Sequence, residues 1–107
     1  MRAFRYAAAF ALLQMATAAV AVAGDVAHVT IRDMAYVPPT LTVHVGDTVA
    51  WNNADFVDHT ATARDGSWEV VIATGKTAQL VMNKAGVVEY FCRFHPNMTA
   101  KIEVLAR

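Results

Sequence analysis

From residue 27 onward, apolar and polar residues alternate in short runs, with the two-residue period of a strand and not the 3.6-residue period of a helix. In residues 27–32, Val29 and Ile31 share one face, and His28, Thr30 and Arg32 share the other. In residues 41–45, Leu41, Val43 and Val45 oppose Thr42 and His44. Residues 48–53 place Val49 and Trp51 together, and residues 78–83 align Ala78, Leu80 and Met82. After Gly86, residues 87–92 align Val88, Tyr90 and Cys92 against Glu89. Residues 101–105 point Ile102 and Val104 one way and Lys101 and Glu103 the other. Gly46-Asp47 is a turn signal, and Pro38-Pro39 breaks the chain between the first two runs as a loop or sheet edge. The stretch 63–76 is the least regular: Asp65-Gly66 and Gly75 mark turns, and residues 67–72 read as a short strand or an edge. Six or seven short strands at regular spacing predict an all-β domain, an antiparallel sandwich or barrel with polar outer faces.

The first two dozen residues follow a different pattern. Arg2 and Arg5 open the chain, residues 6–20 form an Ala-rich apolar run, and Ala21-Val22-Ala23 is a small-x-small site. This is the layout of a helical signal peptide cleaved after Ala23. As a membrane anchor the run is short, and Gln14 and Thr17 interrupt it. The absence of a twin-arginine pair favours the general export route. The expected organisation is a signal peptide over residues 1–23 and one domain over residues 24–107, with no membrane attachment after cleavage.

Cleavage changes the charge. The 107-residue chain carries 9 basic and 9 acidic residues; losing Arg2 and Arg5 leaves 7 basic against 9 acidic, a net charge of −2. Nucleic acid is excluded as a partner, since that needs a basic stripe. An apolar content of 56% excludes disorder. The single cysteine, Cys92, permits no internal disulfide. An unpaired cysteine in an exported protein is buried and inert, bonded to another chain, or a metal ligand.

The residues around it favour the metal. Cys92-Arg93-Phe94-His95-Pro96-Asn97-Met98 carries thiolate, imidazole and thioether donors at three-residue spacing. Strand parity turns Cys92 inward at its strand end, and Pro96 stiffens the short loop that follows. With four His and five Met in the chain, both offsets arise by chance about 0.002 of the time. A second imidazole from a neighbouring strand would complete two nitrogens, one thiolate and a weak axial thioether, the donors of an electron-transfer copper site. Zinc, the competing metal, rarely takes methionine. A Cys–His catalytic pair would need an orienting third residue, which is not evident.

The segments Trp51-Asn52-Asn53-Ala54-Asp55-Phe56-Val57-Asp58-His59-Thr60 and Glu89-Tyr90-Phe91-Cys92-Arg93-Phe94-His95-Pro96-Asn97-Met98 resemble the two halves of a cupredoxin copper site. The tight Cys-x-x-His-x-x-Met loop is most similar to that of the amicyanin branch; plastocyanin and pseudoazurin have longer loops. The likeness runs from about Asp25 to Leu105. It implies a Greek-key β-sandwich holding one type 1 copper, Cu(I)/Cu(II), with His59, Cys92 and His95 as equatorial ligands and Met98 as the axial one. It also implies the Thr60 amide pointing at the Cys92 sulfur. The function implied is periplasmic one-electron transfer, not enzymatic catalysis. The partners implied are redox proteins, a donor dehydrogenase or a c-type cytochrome, docking at the apolar surface around His95. The alternative is a copper-binding or copper-delivery protein without a shuttle role. Asp58 and Thr60 depart from the Pro and Asn common in relatives, and Asp58 is expected to bring a carboxylate near the metal. His28 and His44 fall on polar strand faces and are expected at the surface, while Trp51 and Trp68 are expected to pack.

Overall fold

The computed structural model describes residues 24–107; the signal-peptide reading of residues 1–23 lies outside the described residues. Nine strands follow one another: β1 (Val26–Arg32), β2 (Ala35–Val37), β3 (Thr40–His44), β4 (Thr48–Asn53), β5 (His59–Ala63), β6 (Glu69–Ile72), β7 (Thr77–Val81), β8 (Gly86–Phe91) and β9 (Thr99–Leu105). They form two sheets, ordered β2-β1-β4-β7 and β3-β9-β8-β5-β6. The expected all-β sandwich is therefore present, but its sheets are mixed and not purely antiparallel. β1 runs parallel to β4 and β3 parallel to β9. In each case the chain crosses to the other sheet before it returns, which a parallel neighbour requires.

The alternation seen in the sequence becomes the core. Val29 and Ile31 of β1, Val43 of β3, Val49 and Trp51 of β4, Tyr90 of β8 and Ile102 and Val104 of β9 are buried between the sheets. An aromatic cluster fills the centre. Trp51 donates its indole N–H to the Tyr90 hydroxyl (3.3 Å), and Trp68 and Tyr36 lie against Tyr90. Burial pushes the Tyr90 phenol up to about 12, against the Trp51 hydrogen bond, which lowers it. Both tryptophans thus pack as expected. His28 and His44 are exposed, as expected.

Two strands go beyond the pattern. β2 pairs with β1 through the two-residue turn Asp33-Met34, where both residues have positive φ (51° and 58°). Such mirror-image turns suit the twist of a hairpin but normally take Asn-Gly or Gly. β5 lies in the stretch that carries the upstream histidine, and its sequence His-Thr-Ala-Thr-Ala has small inward residues. At the far end of the sandwich, Gly24 lies so close to the β3–β4 turn that a Cβ would sit 2.1 Å from the Gly46 carbonyl oxygen. The folded domain thus takes in Gly24.

Candidate metal centre

Three donors converge where β5 begins and β8 ends. The Nδ1 of His59 lies 3.7 Å from the Cys92 sulfur, and the Nδ1 of His95 lies 3.6 Å from it. All three donor atoms lie within 4.8 Å of one another. This is the spacing a shared ion needs. Metal bonds of about 2.0 Å to nitrogen and 2.3 Å to sulfur, spread at trigonal angles, separate nitrogen and sulfur by about 3.7 Å. His59 and Cys92 are fully buried, while His95 is partly exposed. One soft thiolate with two imidazoles suits copper in both oxidation states.

The ligand loop explains its own spacing. The His95 N–H bonds the Cys92 carbonyl (3.2 Å), and the Met98 N–H bonds the His95 carbonyl (2.9 Å). Two successive four-residue turns thus place a donor residue at each corner, and this is why the offsets are three and three. The Cys92 N–H bonds the Met98 carbonyl (3.0 Å) and closes the loop. Met98 is buried in the same core cluster as Cys92.

The residues behind the donors are equally ordered. The Thr60 amide lies 3.4 Å from the Cys92 sulfur, as expected. The carboxylate expected from Asp58 comes instead from Asp55. Its Oδ2 is 2.8 Å from His59 Nε2. Asp58 turns away and accepts the Thr74 N–H at 2.9 Å. A carboxylate on Nε2 keeps the proton there and leaves the Nδ1 lone pair facing Cys92. Asp55 also accepts the N–H groups of Asp33 (2.7 Å) and Met34 (3.1 Å), so it anchors the strained β1–β2 turn as well. Burial raises the Asp55 carboxyl, but the bonds from His59, Met34 and Asp33 outweigh it and hold the group below the usual carboxylate range.

Asn53 is a second residue that the sequence reading passed over. It is fully buried, its amide donates to the carbonyls of Val57 (2.8 Å) and Ile72 (2.9 Å), and its oxygen accepts the Asp55 N–H (2.9 Å). It thereby sets the loop that delivers Asp55 to His59. An Asn at a strand end beside the upstream histidine was the available signal. Tyr36 donates its hydroxyl to the Thr60 carbonyl from the facing sheet. Burial, then the neighbouring Cys92 and Tyr90, pushes that phenol far above its ordinary value.

The comparisons with known proteins agree with this geometry. Residues 5–104 match the model of the cupredoxin-like domain. The chain is 32% identical to amicyanin of Paracoccus versutus over 93 residues, covering 81% of this chain and 70% of that protein. It is 33% identical to amicyanin of Paracoccus denitrificans, covering 81% and 71%. Among solved structures, it resembles a purple cupredoxin from Nitrosopumilus maritimus, with a TM-score of 0.67 and 28% identity over 73% of this chain and 98% of that one. It likewise resembles the crystal structure of Paracoccus versutus amicyanin, with a TM-score of 0.64 and 30% identity over 81% and 86%.

Proposed function

Because the chain belongs to the cupredoxin-like family, we propose that it is an exported, periplasmic one-electron carrier, with His59, Cys92, His95 and Met98 holding one type 1 copper ion. The observation that carries this reading is the triangle of His59 Nδ1, Cys92 Sγ and His95 Nδ1 at the end of the sandwich. The copper would supply the one-electron change between Cu(II) and Cu(I). The chain's own residues do the rest. Asp55 fixes the His59 tautomer, the Thr60 N–H stabilises thiolate charge on Cys92, and the closed loop from Cys92 to Met98 resists rearrangement when the charge changes. The burial of His59, Cys92 and Met98 keeps water from the donors.

His95 is the donor that reaches the surface. A shallow hollow beside it is lined by Met34, Pro96, Asn97 and Met98, and Phe94 is exposed nearby. We assign electron entry and exit to this edge, where a redox protein such as a dehydrogenase or a c-type cytochrome would dock. Residues 1–23 are the export signal and residues 24–107 the carrier domain. With four protein donors and no open position, the site offers no place to a substrate, so an enzymatic role is not proposed.

Voltammetry separates carrier from copper-delivery protein. A carrier gives a reversible one-electron wave and keeps its copper through repeated cycles. A protein that binds Cu(I) but gives no reversible wave, or sheds copper on reduction, would contradict the carrier reading.

A further inference from the structure

A ring of hydrogen bonds runs from the ligand loop to the surface and back. The Arg93 N–H donates to the Thr60 hydroxyl oxygen (2.8 Å). The Thr60 and Thr62 hydroxyl oxygens are 2.9 Å apart. The Thr62 hydroxyl donates to Glu69 Oε1 (2.7 Å), and the Arg93 Nε–H donates to the same oxygen (2.7 Å). The ring therefore begins and ends on one residue, the one that follows Cys92.

Its direction is fixed by chemistry. Glu69, paired with Arg93, is ionised and only accepts. Thr62 must spend its single proton on Glu69. Thr60 must then donate to Thr62, and its own oxygen is left to receive the Arg93 N–H. Every hydroxyl points the same way, toward the carboxylate, and aligned hydroxyls strengthen one another. Strand register makes the ring possible, since Thr62 stands directly opposite both Glu69 in β6 and Phe91 in β8.

We propose that Thr62 and Glu69 are positioning residues for the metal centre: they orient this ring, which clamps the Cys92–Arg93 peptide unit to β5 and so keeps the Thr60 N–H on the Cys92 sulfur. The inference rests on Cys92 being a metal ligand, as proposed above. Thr62 and Glu69 touch none of the four donors; they act through Thr60 and Arg93. An ion pair between exposed side chains contributes little to stability by itself. Its part here is to give two hydroxyls a single orientation.

Thr62→Val keeps the β-branched shape and the net charge but removes the link, and Thr62→Ser restores it. In the metal-free protein, amide exchange followed by NMR should accelerate at Arg93 by roughly three- to ten-fold in Thr62→Val, the worth of one hydrogen bond. Exchange at Val29 and Trp51 in the other sheet should change less, and Thr62→Ser should return Arg93 to the wild-type rate. In the copper-loaded protein, the reduction potential should fall in Thr62→Val, because a loosened N–H no longer favours the electron-rich thiolate, and should recover in Thr62→Ser. Unchanged Arg93 exchange, an acceleration equal to that of Val29 and Trp51, or a constant potential would each overturn the proposal. Glu69→Ala should reproduce the exchange effect from the other end of the link; if it does not, the ring has no role. If the wild-type protein fails to form a copper site, the proposed function falls, and the metal-free exchange experiment still decides on the ring.

Discussion

Asp55 joins two needs in one carboxylate. It holds the Nε2 of His59 and pays for the strain of a turn in which Asp33 and Met34 both adopt positive φ. Its negative charge sits one imidazole ring away from the nitrogen that faces Cys92. A unit charge at roughly 6 Å in an effective dielectric of about 20 shifts a one-electron potential by on the order of 100 mV. Replacing Asp55 with Asn should therefore raise the reduction potential by tens of millivolts or more. Asp58→Asn should move it much less, since Asp58 bonds the Thr74 amide and not a ligand histidine. Voltammetry of the two variants checks this; a larger shift in Asp58→Asn would reverse the assignment. Both residues are visible in the sequence within five positions of His59. Only the fold of the 54–58 loop, pinned by Asn53, decides which one reaches it.

Among the elements, seven of the nine described strands were legible, β6 among them as the short edge strand expected within residues 67–72, and β2 and β5 were not. β1, β4, β8 and β9 alternate large apolar residues with polar ones, and each lies within a residue or two of its expected place. β2 is three residues long, ends at Val37 just before Pro38 and follows Asp33-Met34, which carries no glycine to announce a turn. β5 faces inward with Ala61 and Ala63, too small to register as a stripe, and its hydroxyls serve the ring with Glu69. The convergence of Cys92 and His95 was legible because the two residues sit on the corners of one turn, a spacing local in sequence. The parallel pairs β1–β4 and β3–β9 were not, because pairing direction is set by the path of the chain between sheets and not by the strands themselves. The β1–β2 turn also gives a stability test. A side chain in the left-handed region costs about 1–2 kcal/mol. Met34→Gly should therefore stabilise the protein by about 1 kcal/mol, after the extra chain entropy of glycine is subtracted. Denaturant unfolding measures it, and a loss of stability would show that the Met34 side chain contributes packing beyond this conformation.

Across the whole molecule, the sandwich is fastened at both ends. The metal centre closes one end. At the other, Asp47 accepts the His44 N–H (2.8 Å), the Asp25 N–H (2.9 Å) and the Arg107 guanidinium (2.7 Å), tying the β3–β4 turn to both termini of the described domain. The His44 amide, and after it those of Asp25 and the Arg107 charge, hold this carboxyl below its ordinary value against some opposing desolvation. A carboxyl with a depressed folded pKa binds its proton more tightly when unfolded. Its contribution is present above the unfolded value of about 4 and is lost as pH falls through the folded one. The melting temperature of the metal-free protein should fall in acid, and the gap between wild type and Asp47→Asn should narrow between about pH 5 and pH 3. A gap constant with pH would mean that the Asp47 contacts act without its charge.

We propose above that His59, Cys92 and His95 share one copper ion at the end of this sandwich. The optical and EPR spectra of the Cu(II) protein test it most directly, with Cys92→Ser as the comparison. A thiolate bound in the plane of two imidazoles gives an intense visible band and a narrow copper hyperfine splitting, and both should vanish in Cys92→Ser. A colourless wild-type protein with an ordinary tetragonal copper signal would contradict the account.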